Sequence, residues 1–534
     1  MDGAAEWFLP PGQRGNSSTT IDAYAEPGTA WTVGNAIEPP RHGAPYFARL
    51  VTCLSGLRAE DELFIADWRG DEDQLLGPDG PMLGDILCSL ATRGVVVRGL
   101  LWPSHPQAFG FSEEHAGRLA GMVNEAGGQI LLDERVRRGG SHHQKLVLLR
   151  HRDRSHDDVA FVGGVDLCHG RRDDDGHDGD PQAERLDPAY GRRPPWHDLQ
   201  VEVRGPALDQ LFETFRERWN DRTPLERRGL RLPRILLRRT REPDLPEPLP
   251  RSGSRHSTEG GAAVQVLRTY PAKRPGYPFA PSGERSVARL YGRAVPRARS
   301  LIYVEDQYVW SEEIAGVFER TLRTAPDLRL IVVVPRHPDH NGALSGPSSR
   351  VGQIAMMDRI VAAAPDRVAV YDLEDEGGAA IYVHAKAVVI DDVLAVIGSD
   401  NMNRRSWTHD SELSIAILEE DRDPREPVDL TRRGERARRF ARTLRLGLWR
   451  EHLGVETDDG LIDPVEGFLR FREAAGALDA WCDSGRRGPR PPGRLRVHRP
   501  RPVAAWQRPW AWPLYRLIVD PDGRPRRGQR EGQF

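Results

Sequence analysis

Six segments occur twice, in the same order, along this 534-residue chain, and no other feature restricts its fold as much. The first copy runs DELFIADWRGD (61–71), GVVVRGLLWPSH (94–105), HHQKLVLL (142–149), DDVAFVGGVDL (157–167), WHDLQVEVRG (196–205) and FETFRERWN (212–220). The second runs SLIYVEDQYVW (300–310), DLRLIVVVPRHP (327–338), YVHAKAVVID (382–391), DVLAVIGSDNMN (392–403), HDSELSIAIL (409–418) and ARTLRLGLWR (441–450). Short apolar runs rich in β-branched residues, separated by helical stretches such as 350–364, read as buried strands of an α/β sheet. The expectation is two duplicated α/β sandwich domains related by a pseudo-twofold axis, with the functional site at their interface. Residues 1–220 form the first half and 263–455 the second. A Pro/Arg/Gly/Ser-rich linker (221–262) separates them, and an Arg/Pro/Trp-rich C-terminal extension (456–534) follows.

Composition removes several functional classes. With 76 Lys+Arg against 79 Asp+Glu and a net charge of −3, the chain lacks the basic excess of a nucleic-acid coat. Cys53, Cys88, Cys168 and Cys482 form no CxxC pair, which argues against a zinc or disulfide framework and for a reducing compartment. The longest apolar runs, such as LIVVVP, are strand-sized and fall short of the roughly 18 residues needed to span a bilayer. The N-terminal MDGAAEWFLPPGQRG has no basic region followed by an apolar one, so a cytoplasmic protein is expected. Trp506, Trp510, Trp512 and Tyr515 of the extension either rest on an anionic membrane surface or pack onto the domain. The acidic stretch 171–180 and the run 419–427 read as charged loops.

Lysine is the informative residue. It occurs only as Lys145, Lys273 and Lys386, every other basic residue being arginine. A chain that has replaced nearly all its lysines should keep them only where a planar guanidinium cannot substitute for a compact point charge. Two of the three stand in His-x-Lys, at equivalent places of the two halves. Residues two apart in a strand share a face, so His143 with Lys145, and His384 with Lys386, would each present an imidazole beside an ammonium. A fixed positive charge is a poor neighbour for a metal ligand but a good one for an anion such as phosphate, which an imidazole can attack or protonate. Downstream, Gly163-Gly164-Val165-Asp166 and Gly398-Ser399-Asp400-Asn401 form turns where backbone and side-chain amides approach a ligand. Asp198 and Glu412 follow as carboxylates able to fix an imidazole tautomer.

His384-x-Lys386-x4-Asp391 followed by IGSDNMNRRS resembles the signature of the phospholipase D superfamily. SHHQK (141–145), FVGGVDLCHGR (161–171), PPWHDLQVEVRGPA (194–207), VQVLRTYP (264–271) and IYVEDQY (302–308) extend the resemblance to the plant-type subgroup, over roughly 45–455. The resemblance implies a two-step displacement without metal or other cofactor. His143 would be the nucleophile and His384 the general acid and base. Lys145, Lys386 and Asn401 would hold phosphate, while Asp198 and Glu412 orient the histidines in an order left open. Asp391 belongs to the same set by its place in the signature. Asp166, Gly164, Ser399, Trp68 and Trp310 are candidates for substrate contact, and Asp67, Glu305 and Asp306 are further strand-end candidates. His105, His337 and His340 read as surface loop residues. The N-terminal C2 domain of plant relatives has no room here, so calcium-dependent docking of that kind is expected to be absent. In the first copy Arg150 stands where the signature has Asp.

The implied activity is hydrolysis of a glycerophospholipid to phosphatidic acid and head-group alcohol, or transfer to another alcohol. A monomer acting peripherally at a phospholipid surface is expected, with nucleic acid disfavoured as substrate. The alternatives are another phosphodiesterase of the superfamily, a nuclease or a cardiolipin-synthase-like enzyme, and a phospholipid-binding protein weakened catalytically by Arg150.

Overall fold

The structure is a computed structural model and describes residues 3–38, 42–103, 113–225, 245–339, 342, 345–525 and 528–529. The first half contributes strands β1 (Thr32–Glu38), β2 (Glu62–Asp67), β3 (Val96–Leu101), β4 (Gln129–Leu132), β5 (Leu146–Arg150), β6 (Val159–Gly163), β7 (Trp196–His197) and β8 (Gln200–Arg204). The second contributes β9 (Ala262–Tyr270), β10 (Glu284–Arg285), β11 (Leu301–Glu305), β12 (Arg329–Val333), β13 (Val368–Glu374), β14 (Ala380–Val383), β15 (Ala387–Ile390), β16 (Leu394–Gly398), β17 (Glu412–Glu419) and β18 (Leu495–Val497).

The duplication appears as two mixed sheets of matching order. In the first, parallel β4–β3–β2 is continued antiparallel by β5, β6, β8 and β1. In the second, parallel β13–β12–β11 is continued antiparallel by β15, β16, β17 and β9. Strand β1 also pairs with β9, Thr32 opposite Val264 and Asn35 opposite Ala262, and so links the two sheets.

Each sheet buries both faces, as parallel strands require. Along β2, Leu63 and Ile65 point into the core under the helices Gly43–Ser55, Leu83–Thr92 and Glu113–Glu125. Phe64 and Ala66, on the opposite face, join a larger core shared by both halves. Helices Ala207–Trp219 and Arg439–Leu453 lie in that shared core through Leu211, Phe215, Trp219, Leu444, Leu448 and Trp449.

The chain ends are more integrated than composition alone suggested. Trp7, Phe8 and Leu9 pack into the outer core of the second sheet. Within the C-terminal extension, helix Pro464–Asp483 starts at Asp463, which accepts from the Val465 and Glu466 N–H groups, and has Pro464 at its first position. Its Phe468 and Phe471 enter the shared core, and β18 adds to the outer edge of β13. Trp510 and Trp512 pack half-buried on a cluster of Trp310, Val351 and Tyr515, whereas Trp506 is 72% exposed. The stretch 171–180 is not a solvated loop: Arg171, Arg172, Asp173, His177 and Asp180 are all buried. Of the linker, Leu249 is buried in the shared core; 226–244 lie outside the described residues.

Both His-x-Lys tripeptides precede their strands rather than lying within them, which corrects the expected strand placement. Residues 143–145 run into β5, and 384–386 connect β14 to β15.

The far ends of β5 and β15 carry Arg150 and Asp391. Asp391 is buried and accepts the N–H groups of Arg299, Ser300 and Leu301, while burial pushes its carboxyl up to about 6. It is therefore a brace between the ends of neighbouring strands, remote from the histidine of its own signature, and does not line the cavity described below. Arg150 sits opposite Glu62 in register, forms an ion pair with it at 3.3 Å and lies over the Phe212 ring at 4.1 Å. The Arg150→Asp change should leave turnover within about twofold. It should cost about 1–3 kcal/mol of stability, because a new carboxylate would face Glu62 across the strand pair. Denaturation midpoints and initial rates measured on the same preparation check both halves of this expectation.

Candidate active site

Two short cross-half pairings create the site. Strand β7 of the first half runs parallel to β14 of the second, Trp196 opposite Tyr382 and His197 opposite Val383. The His384 N–H donates to the His197 carbonyl at 2.8 Å. Correspondingly, His142 bridges to Ser411, and the His143 N–H donates to the Ser411 carbonyl at 2.9 Å. Each pairing sets a histidine of one half beside the carboxylate that follows in the other.

The orienting carboxylates are thus crossed. His143 Nδ1 donates to Glu412 Oε2 at 2.9 Å, and His384 Nδ1 donates to Asp198 Oδ2 at 2.7 Å. In each ring the bonded Nδ1 leaves Nε2 with its lone pair for chemistry. Each carboxylate is held in turn. Ser399 Oγ donates to Glu412 Oε2 at 2.6 Å, while Leu199 N–H and Trp196 Nε1 donate to Asp198 at 2.8 and 3.4 Å. Gly164 and Ser399 occupy equivalent turns, and the difference between them matches the difference between the acids. The shorter Asp198 lies where a Cβ on Gly164 would stand, so only glycine leaves it room. Both residues therefore support carboxylates, which differs from the expected direct substrate contact.

Both lysines are buried. Lys145 Nζ forms an ion pair with Asp166 Oδ1 at 2.8 Å and donates to the His143 carbonyl at 3.2 Å. Lys386 Nζ donates to Gln307 Oε1 at 3.2 Å and to the His384 carbonyl. Asp166, a candidate for substrate contact that does line the cavity described below, pairs with two cations, the second being Arg171 at 3.1 Å. Burial opposes its charge, yet Lys145 and Arg171 hold it well below the usual carboxylate range. Burial pushes Lys386 down to about 8. Burial, then Lys386 and Arg171, push the His384 imidazole well below its usual range.

Both histidines open onto a cavity of about 330 Å³. Its wall includes Asp166, Asn401 and an aromatic set of Trp68, Trp102, Trp196, Tyr308, Trp310 and Tyr382. Trp68 stands edge-on to His143, ring centroids 6.3 Å apart, and Trp310 packs on Tyr308 at 4.1 Å. The strand-end acids have other work. Asp67 accepts from Arg69 and Leu167 N–H groups, and Asp306 from Tyr308, Val309 and Met402, so each ties a strand end to the turn after the next hairpin. Glu305 is buried against His197 and His452. His337 is half-buried against Tyr190; His105 and His340 lie outside the described residues.

Sequence reasoning missed Arg171 and Gln307. Arg171 lines the cavity and lies 4.2 Å over the Trp196 ring, but among so many arginines its residue type carried no signal. Gln307 had a signal, its place in IYVEDQY directly after Asp306.

The family model described as Phospholipase D matches residues 78–313 and 364–469. Phospholipase D alpha 2 of Oryza sativa subsp. japonica is 25% identical over 71% of this chain and 59% of its own length. Phospholipase D alpha 1 of Cynara cardunculus is 26% identical over the same shares. The chain thus spans about three fifths of the length of these relatives. Among solved structures, phosphatidylserine synthase of Haemophilus influenzae aligns with 84% of this chain and 93% of its own, at 12% identity and a TM-score of 0.49.

Proposed function

This chain belongs to the phospholipase D family, and we propose that it cleaves glycerophospholipids to phosphatidic acid and the head-group alcohol, or passes the phosphatidyl group to a second alcohol. The observation that carries the reading is the pair of crossed histidine–carboxylate contacts on one cavity. Among the described residues no helix is long and apolar enough to cross a membrane. The substrate surface would be met peripherally by a cytoplasmic monomer. Leu517 and Ile518, 75% and 62% exposed beside the cavity-lining Val519, supply an apolar rim for acyl chains.

In this mechanism His143 Nε2 attacks phosphorus, forming the N–P bond as the P–O bond to the head group breaks. His384 Nε2 gives its proton to the departing alkoxide. It then takes a proton from water or an acceptor alcohol, whose oxygen attacks phosphorus as the N–P bond breaks. Lys145, Lys386 and Asn401 hold the phosphoryl oxygens; Trp68 and Trp310 bound the head group. Burial, then Lys386 and Arg171, favour the neutral ring in the free site, and a bound phosphodiester anion would offset those cations and favour the protonated acid. Asp391 has no step here. Arg150, placed at the far end of β5, gives the weakened-enzyme reading no support.

The test is a transfer assay with mixed phosphatidylcholine and phosphatidylethanolamine micelles, a short primary alcohol, and a His384→Ala control. A phosphatidyl-alcohol that vanishes in the control supports the proposal. No product from lipid, together with turnover of a cardiolipin or nucleic-acid diester, replaces it with another superfamily activity.

Lys386 sets an expected pH limit. Burial and Lys145 lower its pKa, Asp198, Asp306 and Asp166 oppose them, and the result is about 8. The ammonium is present below that value and lost above it, so kcat/KM on a soluble diester should fall about tenfold per pH unit well above 8. Lys386→Arg, which stays charged, should flatten that limb even if its plateau is lower. An unchanged limb in this variant assigns it to another group.

A further inference from the structure

A second group of imidazoles adjoins the catalytic pairs through β7. His42 precedes helix Gly43–Ser55, His177 lies in the buried 171–180 segment, His197 is in β7, and Glu451 is in helix Arg439–Leu453. These residues come from four segments and both halves, yet one nitrogen of each ring and one carboxylate lie within 4.8 Å of one another. Glu451 Oε1 stands 3.1 Å from His177 Nε2 and 3.2 Å from His197 Nδ1, and Oε2 stands 3.2 Å from His42 Nε2. In a tetrahedral zinc site with bonds of about 2.0–2.1 Å, neighbouring ligand atoms are roughly 3.3 Å apart. The three contacts, made through both oxygens of Glu451, come close to that length, and the donor set as a whole lies within 4.8 Å.

The outer contacts decide which atoms carry protons. His177 Nδ1 donates to the Trp196 carbonyl at 3.0 Å, so in the neutral ring Nε2 bears a lone pair directed at Glu451. His197 Nε2 donates to Glu305 Oε2 at 2.7 Å, leaving Nδ1 as a lone pair beside the same carboxylate, without a hydrogen bond of its own. Two acceptors therefore confront a third in a buried space. Either a metal cation or added protons must resolve this. Protons would require both His177 and His197 to become imidazolium, with centroids 5.7 Å apart in the interior, since His42 can donate from Nε2 while neutral. One divalent ion would satisfy all three rings and the carboxylate at once. Glu305 also accepts from Tyr303 OH at 2.5 Å and His452 Nε2 at 2.8 Å, the arrangement of an outer carboxylate that fixes a metal-bound histidine.

We propose that His42, His177, His197 and Glu451 form a structural site for a divalent d-block ion, zinc by its nitrogen-rich set of four donor residues. Calcium and magnesium, which take oxygen ligands, do not suit it. The ion would clamp helix Gly43–Ser55, the 171–180 segment and helix Arg439–Leu453 onto β7. That strand leads directly into Asp198, so the clamp also steadies the acid that orients His384. No sequence spacing announces such a site, because the outermost ligands stand 409 positions apart.

The test is elemental analysis of the full chain, purified without a metal-affinity tag from zinc-supplemented cells. About one zinc per chain is expected. His177→Ala/Glu451→Gln should remove it, whereas His143→Ala, altering a solvent-open histidine, should retain it. Cobalt reconstitution of the wild type should give the visible bands of tetrahedral cobalt, absent from the double variant. Should that variant fail to fold, the wild type alone decides: prolonged chelation at mildly acidic pH should lower Tm, and zinc should restore it. A folded wild type holding no zinc, giving no cobalt spectrum and keeping its Tm under chelation would overturn the proposal and leave a protonated histidine network. So would metal that persists in a folded double variant. None of these readouts depends on lipid turnover, so the function proposed above stands or falls separately.

Discussion

Replacing His143 or His384 by alanine should lower kcat by roughly four to six orders of magnitude, as removal of a nucleophile or its proton-transfer partner does in comparable covalent mechanisms. The two variants should differ in where they stop. With a diester whose leaving group is a weakly basic phenol, departure needs no protonation. His384→Ala should then form the phosphoenzyme and stall, because nothing activates water for its breakdown. His143→Ala should form no adduct at all. Rapid base quenching, which preserves an acid-labile N–P bond, followed by intact-mass measurement without acid separates these outcomes. An adduct that accumulates in His143→Ala instead would exchange the two roles. Both rings have the same Nδ1-to-carboxylate support, so the contrast reports chemistry rather than a loss of local order.

The next largest effect is expected from Asp198→Asn and Glu412→Gln. An amide presents either a donor or an acceptor toward Nδ1. When it donates, the imidazole proton moves to Nε2, and the lone pair needed at phosphorus is lost. A decrease in kcat of about a thousand- to ten-thousand-fold is expected for each, with the fold intact. Asp198→Asn should impair His384 and Glu412→Gln should impair His143, each acid acting on the ring from the other half. Adduct trapping reads this crossing directly: Asp198→Asn should accumulate adduct with the phenolic substrate, and Glu412→Gln should form little. A loss below about tenfold, with Tm unchanged, would show that the tautomer is fixed by other contacts.

The duplication was legible because buried strands and His-x-Lys recur in register, and matching elements appear as the two sheets. The crossing was not legible. It depends on β7 leaving its own sheet to pair with β14, and two residues of pairing leave no periodic signal. Asp67 and Asp306 were visible as strand-end acids, but their work on the backbone of Leu167 and Met402 is long-range and has no local pattern. Gly164 was readable as a close approach; what approaches it is a carboxylate, which only the packing of Asp198 reveals. Arg150 drew attention as a broken signature, and its partner Glu62 lay in plain view on the neighbouring strand without any spacing to connect them. The cluster around Glu451 was hidden for the same reason, its ligands belonging to four separate segments.

The exchange of acids between halves also constrains ancestry. A chain with a single copy of the repeat would possess a histidine and an acid that cannot reach each other, so it would have no oriented imidazole by itself. Only when two such chains met about a twofold axis would each complete the other. Joining them in one polypeptide would relieve the two centres of the need to be identical. The pairing of glycine with aspartate on one side, and serine with glutamate on the other, is one such difference that keeps each acid against its histidine.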